Sequence, residues 1–214
     1  MSCKMTEPGH VQRLAATVRA LLDGPPYGPE PDPLRICMLA CLDFQMRGAM
    51  VGKAIDHFYR EAAPRLGVRD LAGLRGFLER TPSDEEAAVA VWGARYWTRA
   101  ALLRQLVAFF LQQRDQRGGT EIEAMRAWAQ GAEFRRDFQG KIKGLGYNTF
   151  VRMAQQLGAN TAAPTGWTCH YVEEVIGGTP KDECLVELLN ATADAVGHHR
   201  ADLDWAIRRH RGHP

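Results

Sequence analysis

Apolar side chains recur every three to four residues along most of the chain. No stretch alternates apolar and polar residues for long enough to make a strand. The first such run, His10–Leu22, carries Val11, Leu14, Val18, Leu21 and Leu22 on one face. The Pro/Gly-rich stretch from Gly24 to Pro33 then reads as a linker. Leu34–Arg47 and Ala49–Ala63 follow, parted near Gly48, and Leu71–Leu78 predicts a short helix. Ser83-Asp84-Glu85-Glu86 has the spacing of a capping box ahead of an apolar run, and Thr120 with Glu123 repeats it. Between them Ala94–Gln113 holds Trp97, Leu102, Leu106 and Phe110, and Arg117-Gly118-Gly119 ends that run. Further helices are predicted over Ile122–Ala129, over Glu133–Gln139, up to about Leu157, and over Trp167–Ile176, Asp182–Val196 and Ala201–Arg209. The reading is an all-α fold of roughly ten helices, with residues 1–33 an N-terminal helix and linker and residues 34–214 the helical body.

Composition narrows this picture. The 214 residues are 45% hydrophobic and 24% charged, which excludes a disordered or fibrous chain. Lys and Arg number 27 against 25 Asp and Glu, a formal charge of +2, so any site for a polyanion must be built locally. The longest strongly apolar stretch, Leu102–Leu111, is too short for a bilayer and is broken by Arg104 and Gln105, so no membrane partner is expected. Met1 to Gly9 is polar and lacks the apolar segment of a secretion signal, and the five cysteines show no framework spacing. Reduced thiols, a cytoplasmic location and a monomer are the expectations.

One segment carries chemical information. In Ile142-Lys143-Gly144-Leu145-Gly146-Tyr147-Asn148-Thr149-Phe150, a Gly-x-Gly turn joins two helical runs. Glycines permit a tight turn, and the amides and positive dipole end of the following helix suit a phosphate. After that helix comes Ala163-Pro164-Thr165-Gly166-Trp167-Thr168-Cys169-His170-Tyr171-Val172. The order of hairpin, helix, Pro-containing loop and helix over Gly131–Gly178 resembles the helix-hairpin-helix superfamily of DNA glycosylases. Their hairpin reads roughly Leu-Pro-Gly-[Val/Ile]-Gly-x-Lys-Thr-Ala. Weaker similarity reaches back to Leu34. The resemblance implies a two-lobed helical bundle with a cleft, and double-stranded DNA gripped through Lys143, Gly144, Leu145, Gly146, Tyr147, Asn148 and Thr149. It places Gln45, Trp92, Thr165 and Trp167 at the base pocket.

The departures are as informative. Such glycosylases carry an aspartate in the loop to stabilise the oxocarbenium-like sugar or activate water, and that position is Thr165. Bifunctional members place a nucleophilic lysine where Asn148 stands, so lyase chemistry is not expected. The four-cysteine iron–sulfur loop is absent, and no cofactor is expected. Cleavage of an N-glycosidic bond still needs a carboxylate. Asp43 is the candidate, because it lies among Leu39, Leu42 and Met46, where burial would raise its pKa unless it were paired with Arg47. Glu173 and Glu174 are further candidates near the loop.

Other constellations are weaker. Cys169-His170, His198-His199, His210 and His213 lack zinc-site spacing, and Cys37 with Cys41 reads as two buried thiols, so no metal is expected. Basic residues gather around the hairpin (Arg135, Arg136, Lys141, Lys143, Arg152) and in the tail (Arg200, Arg208, Arg209, Arg211). A cationic collar suits phosphate neutralisation, although Glu133 and Asp137 are available as local partners. The expected function is therefore DNA binding with base recognition, by a divergent monofunctional glycosylase acting on a modified or damaged base. Hypermodified viral bases, and hence phage defence, are one such setting. A catalytically inactive DNA-binding relative, and a base- or nucleotide-modifying enzyme on the same fold, are the alternatives.

Overall fold

A computed structural model of the chain describes residues 6–42, 46, 48–178 and 180–212, and among these it is helical with no strand. Helix α1 (Pro8–Val18) runs into a 3-10 turn, Arg19–Leu21. Next come α2 (Pro33–Leu42), α3 (Gly48–His57), a π-helical segment Phe58–Ala62 and α4 (Ala63–Leu66). Helices α5 (Leu71–Arg80), α6 (Asp84–Trp92), α7 (Trp97–Arg117) and α8 (Glu121–Gly131) lead to a second π-helical segment, Phe134–Phe138. The remainder is α9 (Tyr147–Gln156), α10 (Gly166–Ile176), α11 (Asp182–Val196) and α12 (Arg200–His210).

The chain divides into two compact units. One holds the residues up to Pro29 together with those from Phe150 onward, and the other holds Glu30–Thr149. In the second unit α7 is the axis, packing against α2, α5, α6 and α8. Its 21 residues bury Leu103, Leu106, Val107 and Phe110. Phe110 and Phe109 meet Trp128 edge-on at 5.2 and 5.6 Å, and Phe109 meets Phe138 at 5.9 Å. Edge-to-face contacts of this kind add to area burial in fixing a core. The charge inside the apolar run of α7 has a task. Arg104 pairs with Asp84 at 2.6 Å and bonds the carbonyls of Leu78 and Thr81, so it ties the end of α5 to the start of α6. Helix starts are set as the side-chain spacing predicts. Ser83 accepts the Glu86 amide, and Thr120 with Glu123 forms the full reciprocal box.

In the first unit α1 packs on α10, α11 and α12. Leu14 and Val18 share one core with Val172, Ile176, Leu188, Leu189, Leu203 and Ile207. The helix that the sequence sets apart ahead of a linker is thus a wall of a core drawn from the C-terminal part of the chain. Local periodicity identifies its apolar face but not the surface that covers it. Cys37, Cys41 and Cys169 are free thiols, whereas Cys184 is disulfide-bonded, a departure from five reduced thiols. Among the described residues no helix is long and apolar enough to cross a membrane.

Candidate nucleic-acid interface

The hairpin is built by its fit to α7. Gly144 adopts φ +103°, a backbone conformation that suits glycine, and a Cβ there would stand 3.3 Å from Leu102 Cδ2. The Lys143 amide donates to Gln105 Oε1 at 3.3 Å, and the Leu145 amide donates to the Ile142 carbonyl at 3.3 Å. Ile142 and Leu145 are buried beneath the turn, and the Tyr147 ring meets Phe134 edge-on at 5.5 Å. Lys141, Lys143, Gly144, Gly146 and Asn148 are exposed, while Tyr147 and Thr149 are half-buried. Nothing lies within 4 Å of where a Gly146 Cβ would be, so the backbone there is open to approach. Helix α9 begins directly after it with no acidic residue in its first turn. That leaves the positive end of its dipole uncompensated by a local carboxylate. The Leu145 amide, expected to face a phosphate, is instead spent inside the turn.

Part of the cationic collar is neutralised locally. Arg136 pairs with Glu133 at 2.9 Å and Asp137 at 2.7 Å. The hydrogen bond from Arg136, helped by the Glu133 amide, holds the Asp137 carboxyl below its ordinary range. Arg152 belongs to the first unit, where burial first and the neighbouring Arg208 second lower its pKa. Lys141 and Lys143 remain as exposed cations at the turn.

The Pro164–Trp167 segment, which the resemblance singles out, lies at the start of α10. Thr165 precedes the helix, its amide donates to Thr168 Oγ1 at 3.2 Å, and its carbonyl accepts the Cys169 amide at 2.9 Å. Thr168, fully buried, donates to Asp204 Oδ1 at 3.0 Å. Asp204 is also fully buried. Its Oδ2 takes Gln155 Nε2 at 3.1 Å, the Ala163 amide at 3.3 Å and the Arg208 guanidinium at 3.0 Å. Arg208 in turn lies over the Trp205 ring at 5.3 Å. The carboxylate behind the loop is therefore saturated with donors and closed to solvent. It fastens the loop to α9, α10 and α12. Trp167 stands beside this network, 50% exposed.

Trp92 is 3% exposed and tilts against Tyr96 at 6.5 Å, so its indole offers no face for a base to stack on. Asp43 and Gln45 lie outside the described residues. Glu173 is exposed with His170 at 3.8 Å, and Glu174 is paired with Arg211. A groove of about 740 Å³ in the second unit, lined by His57, Arg65, Leu66, Glu85, Val89 and Arg95, contains none of the residues expected at a base pocket. Sequence reasoning missed Gln105 as the anchor of the hairpin and Asp204 as the hub behind Thr165. A signal for Asp204 existed, because it sits between Leu203 and Ala206–Ile207 with Arg208 four residues on. Among the described residues no group of three or more His, Cys, Asp or Glu could hold a metal ion. No protein-family model, curated protein or solved structure matches the chain.

Proposed function

We propose that the protein binds double-stranded DNA through the Lys143–Thr149 hairpin and reads a modified or damaged base, as a divergent monofunctional DNA glycosylase. The observation that carries the reading is the hairpin itself. A positive-φ glycine turn, anchored from below by Leu102 and Gln105, presents the open Gly146 backbone and exposed Lys143 at the start of an acid-free helix N-terminus. Main-chain donors with a helix dipole and a nearby lysine form a phosphate-binding arrangement that needs no base contact. It therefore positions a duplex without selecting sequence.

A second reading, a relative that binds DNA without excising a base, is favoured by the Thr165 region. The carboxylate bonded behind it through Thr168, Asp204, is buried and fully bonded. One experiment separates the two. The purified chain is incubated with duplexes carrying a panel of modified bases, including glycosylated pyrimidines, and free base and abasic sites are measured alongside binding at several salt concentrations. Released base that disappears in Asp43→Asn supports excision by an acid outside the family's position. Release that survives this change turns the search to Glu173 and Glu174. Salt-dependent binding without release, lost on altering Gly144 or Gly146, supports the second reading. Neither binding nor release overturns both.

A further inference from the structure

The end of α12 carries three arginines with unequal surroundings, Arg208 and Arg209 in its last turn and Arg211 just after it. Arg208 donates to Gln155 Oε1 and pairs with Asp204, each at 3.0 Å. Arg211 pairs with Glu174. Arg209, between them, has no acceptor among the described residues, and its Nε is buried without a partner. Its tip folds back on the segment after α1, where Nη1 lies 1.6 Å and Cζ 2.3 Å from the place that a Cβ on Gly24 would take. Glycine at position 24 is what gives the guanidinium room.

Around that tip Gly24, Pro25, Pro26, His198, Asp202 and Arg209 line a cavity of about 220 Å³. This is smaller than the roughly 300–1,000 Å³ of sites for drug-sized ligands, and suits one ionic group. The prolines fix the rim by fixing their own φ. Asp202 is the acid on the wall, and its Oδ1 already accepts the Tyr27 amide at 2.7 Å. A guanidinium drawn out of water without a counter-charge is unfavourable. Its planar fork of donors matches phosphate oxygens. We propose that this cavity binds a single phosphate group, held by Arg209 with His198 at the rim. The site belongs to the first unit alone and stands independently of the hairpin.

The test uses the full chain labelled with nitrogen-15 in arginine. The Nε–Hε resonance of Arg209 is followed while inorganic phosphate is added, with chloride at matched ionic strength as control. A short unmodified duplex is titrated separately. The expected result is a saturable shift of Arg209 with phosphate and none with chloride. Arg209→Gln removes binding, and Gly24→Ala, whose methyl displaces the guanidinium, weakens it about tenfold. Asp202→Asn, which keeps an acceptor for Tyr27 while deleting a negative charge, tightens it several-fold. Because Gly24→Ala and Asp202→Asn leave Arg209 in place and act in opposite directions, a misfolded Arg209 variant would not blunt the test. A response to both phosphate and duplex identifies the DNA backbone as the source. A response to phosphate alone identifies free phosphate or a small phosphate ester. No saturable response to either, or one unchanged in all three variants, overturns the proposal. Phosphate is read without DNA, so failure of the hairpin reading is distinguishable.

Discussion

Helices α9 and α10 both follow turns that the sequence singles out, yet their first turns are used in opposite ways. The turn before α9 is held from beneath by buried Ile142 and Leu145 and by Gln105, and its outer face is open at Gly146. The turn before α10 is sewn inward. Thr165 bonds Thr168, Thr168 bonds Asp204, and Asp204 collects Gln155, Ala163 and Arg208. Polar groups satisfied inside the fold stabilise it but have little capacity left for a ligand. Anchoring by apolar contact leaves polar groups for the outside. The difference explains why a binding reading rests on the first turn, while the second reads as a structural joint.

The largest expected effect comes from breaking that joint. Asp204→Ala removes the buried carboxylate that Arg208, Thr168, Gln155 and the Ala163 amide share, and should cost about 3–5 kcal/mol, a large part of a typical domain's stability. Chemical denaturation measures it. A loss below 1 kcal/mol would mean that the network is not the joint described. At the open turn, Gly144→Ala forces a side chain into φ +103° and against Leu102. It should cost about 1–3 kcal/mol and weaken duplex binding at the same time. Lys143→Ala isolates the surface. Thermal stability should stay within about 0.5 kcal/mol, while the slope of log affinity against log salt falls by about 1. An unchanged slope in fluorescence anisotropy would remove Lys143 from the phosphate contact.

The contrast between the two turns also shows what local pattern carries. Helix positions, the Thr120–Glu123 box and the glycine turn at Gly144 were legible because each is written in neighbouring residues. The π-helical segments Phe58–Ala62 and Phe134–Phe138 were not, since their periodicity differs from an α-helix by a single residue. Two tryptophans show the same limit. Trp92 is buried at 3% exposure, while Trp97, counted with an apolar run, is 59% exposed at the start of α7. Which face a partner covers is decided by distant chain, as it is for α1. Asp43 and Asp204 share a local signature, an acid among apolar residues, yet only Asp204 falls within the described residues, and there burial serves architecture.

The smallest structural effect is expected where the functional question is sharpest. Aspartate ranks with the best helix N-caps, and a negative charge there is favoured by the dipole. Thr165→Asp should therefore leave stability within about 0.5 kcal/mol, provided its amide keeps its bond to Thr168 Oγ1 at 3.2 Å. The variant places a carboxylate where the resemblance to glycosylases expects one, at almost no structural cost. If the surrounding residues retain the geometry of a glycosylase, base release should rise with pH as the new carboxylate ionises, through about pH 4 for an ordinary aspartate. If release does not change while duplex binding persists, the start of α10 has become a structural joint only. Any excision by the wild-type chain must then draw its acid from elsewhere.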